Sequence, residues 1–204
     1  MVKLSIPFDH SEIPNWNFDL HCTKIIPDTV SVRELGYDSD AFGITKPFKI
    51  LTDDAIEIAR HIVLHDKNLK KYCAFNKQNT EGLSHQHAAN TFAYRNVSAV
   101  SKFMRQMMSC KKFEAYLSEI AGEEVHFWPL EWEKMHINVQ SAAEKNPDTV
   151  PNIAWHKDVA TYALLINLSV FPENEPGRGG DTCLKDAEGK VVSFHYNQAG
   201  DTVS

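Results

Sequence analysis

Long apolar runs are missing from this sequence of 204 residues. No stretch approaches the roughly 20 apolar residues that a membrane-spanning helix needs. Met1 to His10 lacks the charged-then-apolar order of a secretory signal. Paired cysteines are missing too. Cys22, Cys73, Cys110 and Cys183 stand far apart with no CxxC spacing. That excludes a disulfide framework and a zinc ribbon, and it fits packed thiols in a reducing cytoplasm. There is no excess of positive charge either. Lys and Arg number 21 against 27 Asp and Glu, a net charge of −6. Nucleic acid and anionic membrane surfaces both require a basic footprint, so neither is an expected partner. Internal repeats and low-complexity tracts are absent.

What is present reads as a globular protein. Hydrophobic residues make up 43%, aromatics 10% and charged residues 24%, ordinary values for a folded soluble chain. At about 150 residues per domain, the length suggests one domain. Such a chain can bury a core without disulfides or a structural metal.

The chain divides into two parts. Residues 1–130 read as a helical supporting region. Thr52 can cap a helix whose first turn carries Asp53 and Asp54, acids placed at a positive dipole end. Ala55, Ile58, Ala59, Ile62 and Val63 then share one face at helical spacing. A second helix is expected from near Asn96, burying Val97, Val100, Phe103, Met104 and Met107. A third buries Phe113, Tyr116, Leu117 and Ile120, and Gly122 suits its C-terminal cap. In residues 131–204 the period changes. Met135, Ile137 and Val139 alternate with His136, Asn138 and Gln140, the pattern of a strand with one polar face. Tyr162 to Val170 is an almost unbroken apolar run and reads as a buried strand. Asp186 to Gly189 reads as a hairpin turn between short strands, and a last strand covers Thr202 to Ser204. Helices first and strands afterwards make an α+β arrangement.

There are ten histidines, so pairs arise by chance. His61 and His65 lie four apart on the first helix, but Ile-Val-Leu separates them and the glutamate of H-E-x-x-H is missing. A helix-surface position is the simpler reading. His85 and His87 sit in a polar stretch from Asn76 to Asn90. They are candidates for metal or substrate, or simply solvated loop residues. His136 shares a strand face with Asn138 and Gln140, which lines a cavity or faces water.

The sharper feature is Trp155-His156-Lys157-Asp158. In an extended strand residues i and i+2 point the same way. His156 and Asp158 therefore present an imidazole and a carboxylate to one side, within reach of one cation. They amount to two thirds of the 2-His-1-carboxylate facial triad that holds ferrous iron. The competing reading is two polar residues on an exposed strand face.

The order of later segments gives this pair a context. After His156 and Asp158 come Ala163-Leu-Leu-Ile-Asn-Leu-Ser169, then Gly179-Gly-Asp-Thr182, a hairpin, and Gly200-Asp-Thr-Val203. This order resembles the iron(II)- and 2-oxoglutarate-dependent oxygenase superfamily. The likeness is good from Met135 to Ser204. Arg95 to Gly122 resembles, more loosely, the helical approach of phytanoyl-CoA-hydroxylase-like and fungal members, and the W-H-x-D form is similar to fungal members in particular. The resemblance implies a double-stranded β-helix, a cupin-like jelly roll of about eight strands, behind a helical N-terminal region. It implies Fe(II) held by His156, Asp158 and a second histidine, with 2-oxoglutarate as co-substrate. It places co-substrate contacts at Asn167 and Thr182, and further ones at Asn138 and Gln140. A buried Asn amid apolar neighbours needs hydrogen-bond partners in any case. The implied activity is that of a dioxygenase, an oxidoreductase that uses O2 on a small-molecule substrate and releases succinate and CO2.

One departure stands out. The second histidine and the basic co-substrate anchor belong beyond the Gly200-to-Val203 strand, and the sequence stops at Ser204. His195 comes too early in the family order, and no Arg or Lys follows Lys190. The expectation is therefore an incomplete core whose third iron ligand lies beyond Ser204, and a fragment of 204 residues with little activity of its own. Two alternatives share the architecture: a non-catalytic jelly-roll binding module that keeps part of the site, and a metal-dependent cupin-type enzyme that uses no 2-oxoglutarate.

Overall fold

A computed structural model describes residues 13–76, 91–130, 134–140, 160–169, 182–194 and 201–203. Within them the fold is α+β, a helical layer with several small antiparallel sheets.

The helical layer follows the sequence pattern closely. A short helix, α1, spans Phe18–His21, and Asn17 caps it by accepting the Asp19 N–H. The long helix α2 spans Asp53–His65. Thr52 accepts the Ala55 N–H at its start, and Asp53 and Asp54 occupy its first turn. Its buried face is Ala55, Ile56, Ile58, Ala59, His61 and Ile62. His61 is therefore not on the helix surface. It lies three residues after Ile58 and beside Ile62, so the helical period carries it inward, with its ring 4.7 Å from that of His65. A π-helical turn, Leu69–Cys73, follows.

The helix expected from Asn96 is split in two. α3 spans Val97–Val100 and α4 spans Lys102–Met108. Asn96 takes a left-handed backbone, and Ser101, extended at φ −86°, ends α3 and accepts the Met104 N–H to start α4. A serine caps more readily than it continues a helix. α5 spans Lys111–Ala121 and ends on Gly122 at φ +72°, a left-handed position where glycine has no Cβ to clash.

The first half of the chain also contains strands. β1 is Thr29–Ser31, β2 is Phe42–Thr45 and β3 is Phe48–Lys49. β4 is Ala74–Asn76 and β5 is Thr91–Tyr94. In the second half come β6 (Ile137–Gln140), β7 (Leu165–Ile166), β8 (Thr182–Lys185), β9 (Val191–Phe194) and β10 (Asp201–Val203). So residues 1–130 are not simply helical, because five short strands lie there and two of them join later strands. The sheets are β1-β2, β3-β10-β7, β4-β5-β6 and β8-β9.

Two cores result. The main one packs Trp16, Ile50, Leu51, Ile62, Leu69, Val97, Phe103, Met104, Phe113 and Tyr116 between the helices and the first strands. Phe103 and Phe113 are fully buried, and Trp16 meets both rings at 5.5 and 5.6 Å. A small second core joins the two hairpins, with Ile44 of β2 against Phe194 of β9 and Val30, Leu184 and Val192 around them. The hairpins are tied further by the Tyr37 hydroxyl donating to the Lys185 carbonyl and the Ala187 N–H donating to the Leu35 carbonyl. The Asp186–Gly189 turn forms as the sequence implies, with Asp186 Oδ1 accepting the Glu188 and Lys190 N–H groups.

Candidate functional site

The polar residues picked out from sequence rest on three different sheets. Asn138 lies on β6, opposite Ala93 of β5, and Gln140 follows two residues on, opposite Thr91. The expected alternation holds around Asn138: Met135 and Ile137 are half-buried against the main core, and His136 and Asn138 are exposed. Asn138 thus has its side chain in the open.

Asn167 follows β7, which pairs with β10 through Ile166↔Thr202 and Leu165↔Val203. The run from Tyr162 is not a fully buried strand. Among its described residues only Leu165–Ile166 forms a ladder. Leu164, Ile166 and Leu168 pack on the main core, while Leu165 is 45% exposed. By the two-residue period Asn167 shares the outer face with Leu165. Its side chain is half-buried, and its Oδ1 accepts the Ser169 N–H at 3.0 Å. That bond closes an Asx turn, a local use of an asparagine that helps to stop a strand. Thr182, half-buried, opens β8 and pairs with Phe194 of β9.

His156 and Asp158 lie outside the described residues, as do His85, His87, His195, Gly179 and Gly180. Among the described residues, no group of three or more His, Cys, Asp or Glu side chains is placed to hold a metal ion. Cys22 is buried, Cys110 half-buried and Cys183 exposed, and these three are free thiols. No helix among these residues is long and apolar enough to cross a membrane.

Two ionisable groups matter that sequence reading passed over. Tyr162 donates its hydroxyl to the Glu123 carboxylate, and its ring meets Phe42 edge-on at 5.5 Å. The Glu123 carboxylate, and burial after it, push the phenol up to about 12. This contact anchors the 160–169 segment to the end of α5 and to β2, across a sequence distance that no local pattern reveals. Glu114 is the second. It is buried on α5, yet it accepts Lys111 Nζ and meets His126 Nδ1, each at 2.6 Å. Lys111 first, and His126 after it, hold its carboxyl below the ordinary range. Its place beside Phe113, at the edge of the apolar stripe, was the available signal.

Two surface cavities border α5. One, of about 350 Å³, is lined by Lys111, Glu114, Ala115, Ser118, Glu124, Val125 and His126. The other, of about 340 Å³, is lined by Phe18, Lys24, Ile26, Lys112, Ala115, Tyr116 and Glu119. Neither is lined by Asn138, Gln140, Asn167 or Thr182, so they are not the pocket those residues would serve.

Comparison with known proteins adds one relation. No curated protein and no solved structure matches the chain. The family model for halogenase D matches residues 59–180. That span runs from α2 through β7 and takes in the Trp155-His156-Lys157-Asp158 motif and Asn167. Because the match covers more than half of the chain, the protein belongs to the halogenase D family.

Proposed function

We propose that the protein is an oxidative enzyme, an Fe(II)- and 2-oxoglutarate-dependent dioxygenase that hydroxylates a small organic substrate on a jelly-roll core. The observation that carries the reading is the pairing of His156 with the carboxylate of Asp158, inside the span that the family model matches. The donors suit ferrous iron chemically. An imidazole and a carboxylate two residues apart on an extended strand can share one cation, and this is the donor set that non-haem iron takes. Bound together, iron and 2-oxoglutarate would let O2 act as the oxidant, one of its oxygen atoms entering the C–H bond as C–OH and the other going to succinate, with CO2 released. The chain's own part is to hold and to orient. His156 and Asp158 would hold the ion. Asn167, Thr182, Asn138 and Gln140 are the amides and hydroxyl offered to a polar co-substrate, and none of them titrates near neutral pH. The apolar flank formed by Leu164, Ile166 and Leu168, packed on the main core, fixes the strand that leads to Asn167.

Halogenation is the second reading, and the family match favours it. The residue at 158 weighs against it. A facial triad leaves the positions that co-substrate and dioxygen need. A halide held on the ion would have to take the carboxylate's place, and this chain has a carboxylate there, Asp158.

The test uses the protein at the full length its gene encodes. Anaerobic Fe(II) and 2-oxoglutarate should together give a visible charge-transfer absorption, and His156→Ala should abolish it. An absorption that never forms, or one unchanged in both His156→Ala and Asp158→Ala, sinks the proposal. Chloride decides between the readings. Oxygen uptake indifferent to chloride supports hydroxylation, and uptake that requires chloride supports halogenation.

A further inference from the structure

We infer that His21 is an acid-operated latch that holds the strap Ile13–Cys22 onto the helical layer. The strap crosses α4 and runs beside the start of α2. Trp16 N–H donates to Gln106 Oε1 at 2.9 Å, and Gln106 Nε2 donates back to Asn15. At the strap's end, Thr52 N–H donates to the His21 carbonyl and Cys22 bridges Leu51, and just past it Thr23 N–H donates to the Ile50 carbonyl. His21 sits in the middle. It is 6% exposed, its ring is 5.4 Å from Trp16 and 5.2 Å from Phe103, and its Nδ1 accepts the Asn17 N–H at 2.9 Å.

That hydrogen bond fixes the protonation state. An imidazole nitrogen that accepts a backbone N–H carries no proton, so the latch is closed only when His21 is neutral. Protonation at Nδ1 sets two donors face to face and places a charge between Trp16 and Phe103. The surroundings do little to compensate. Asp54, in the first turn of α2, is the charge that favours protonation, and burial outweighs it, so the imidazole titrates below its ordinary range. Asp53 beside it is paired with Lys49. Asp19, on α1 itself, is held by Lys24 and Lys112. Cys22 is neutral because burial pushes its thiol up. The residues of α4 and α5 that meet the strap's rings, Phe103 and Phe113, carry no charge. Among the described residues the buried Trp16 indole N–H finds no hydrogen-bond partner, so the closed strap already carries an unmet donor.

The sign follows from linkage. A histidine whose folded value is depressed binds its proton more readily once the strap is released. The latch is fully closed above the ordinary histidine range and weakens as pH falls below it. The strap's protection should fall by up to about tenfold per pH unit once His21 takes up its proton only in the open form.

Hydrogen exchange corrected for intrinsic rates, from about pH 7.5 to about pH 5 across the ordinary histidine range, tests this. The Cys22, Thr23 and Thr52 amides should lose protection while those of α5 keep theirs. His21→Asn places an oxygen acceptor where Nδ1 stands and cannot protonate, so its protection should not depend on pH in this way. If that variant fails to fold, an NMR titration of the His21 ring in the native protein decides instead. A ring that titrates in the ordinary range with strap protection intact overturns the inference, and so does an acid loss that His21→Asn leaves unchanged.

Discussion

The β1–β2 hairpin offers a sharp test of how tightly this fold is built. A Cβ added at Gly43 would lie 2.5 Å from the Val30 carbonyl oxygen, 2.9 Å from the Ser31 carbonyl carbon and 3.0 Å from the Val32 nitrogen. All three are backbone atoms, so no flexible side chain can turn aside. The ladder slips its register between Val30 and Ser31, and Phe42 pairs with Ser31 across that irregularity. The close approach belongs to this bulge, where glycine is the residue that fits. Gly43→Ala must therefore push β1 away from β2 and disturb Ile44, which packs on Phe194. Overpacking costs about 1–3 kcal/mol, and a wholly backbone obstruction belongs at the upper end, about 2–3 kcal/mol. For a chain of this size that is roughly 4–12 °C of thermal midpoint. Gly122→Ala is the control. A Cβ there meets nothing within 4 Å, but φ is +72°, so it should cost about 1–2 kcal/mol by conformation alone. Urea unfolding with a shared m-value would measure both. A Gly43→Ala protein as stable as the wild type, or one less perturbed than Gly122→Ala, would refute the steric reasoning.

Two further outcomes follow from the packing and the ionisable groups. Phe103→Ala should cost about 3–5 kcal/mol, because the ring is fully buried between Trp16 and His21, whereas Leu20→Ala, at a side chain 66% exposed, should stay within about 0.5 kcal/mol; equal midpoints in chemical denaturation contradict this. Glu114, held below the ordinary carboxyl range by Lys111 and His126, contributes stability that is present above that range and is lost as pH falls through its lowered value; thermal scans should show a flatter acid limb for Glu114→Gln than for the wild type, and identical limbs would remove Glu114 from the account.

The helical layer was legible because its signals are local. Thr52 before two aspartates, the apolar stripe from Ala55 to Ile62, and Gly122 after the stripe of α5 each need only neighbours in sequence to be read. So did the Asp186–Gly189 turn. The early strands were not legible for the converse reason. β3 is two residues long, Phe48–Lys49, and exists because β10 lies beside it; its stabilising partner is nowhere near it in sequence. The pairing of β7 likewise depends on β10, which no local pattern in the run after Tyr162 reveals. Ser101 split a stripe that looked continuous, because a hydroxyl cap competes with helix propagation. Of the candidate site, the ligand types and their two-residue spacing at His156 and Asp158 were readable from sequence. The arrangement of Asn138, Asn167 and Thr182 was not, because sheet membership is a long-range property: Asn138 and Thr182 stand in separate sheets, and Asn167 follows a strand of a third. Tyr162 escaped notice because its partner Glu123 lies too far away for any local pattern, whereas Glu114 has Lys111 one turn back on its own helix and only its contact with His126 is beyond local reach.

The central place of β10 sets the order in which the protein can assemble on the ribosome. Thr202, fully buried, pairs with Phe48 on one side and Ile166 on the other. The closure onto Phe48 spans most of the chain and that onto Ile166 a much shorter stretch, and in each the loop entropy must be met before any contact returns it. The contacts among α2, α4 and α5 can form while later residues are still being made. The β3 edge and the Leu165–Ile166 pair must wait, with unpaired backbone exposed, until Thr202 has left the exit tunnel. A nascent chain halted before that point presents two open strand edges at once, the form in which a protein of this architecture is most exposed to aggregation and to chaperone capture.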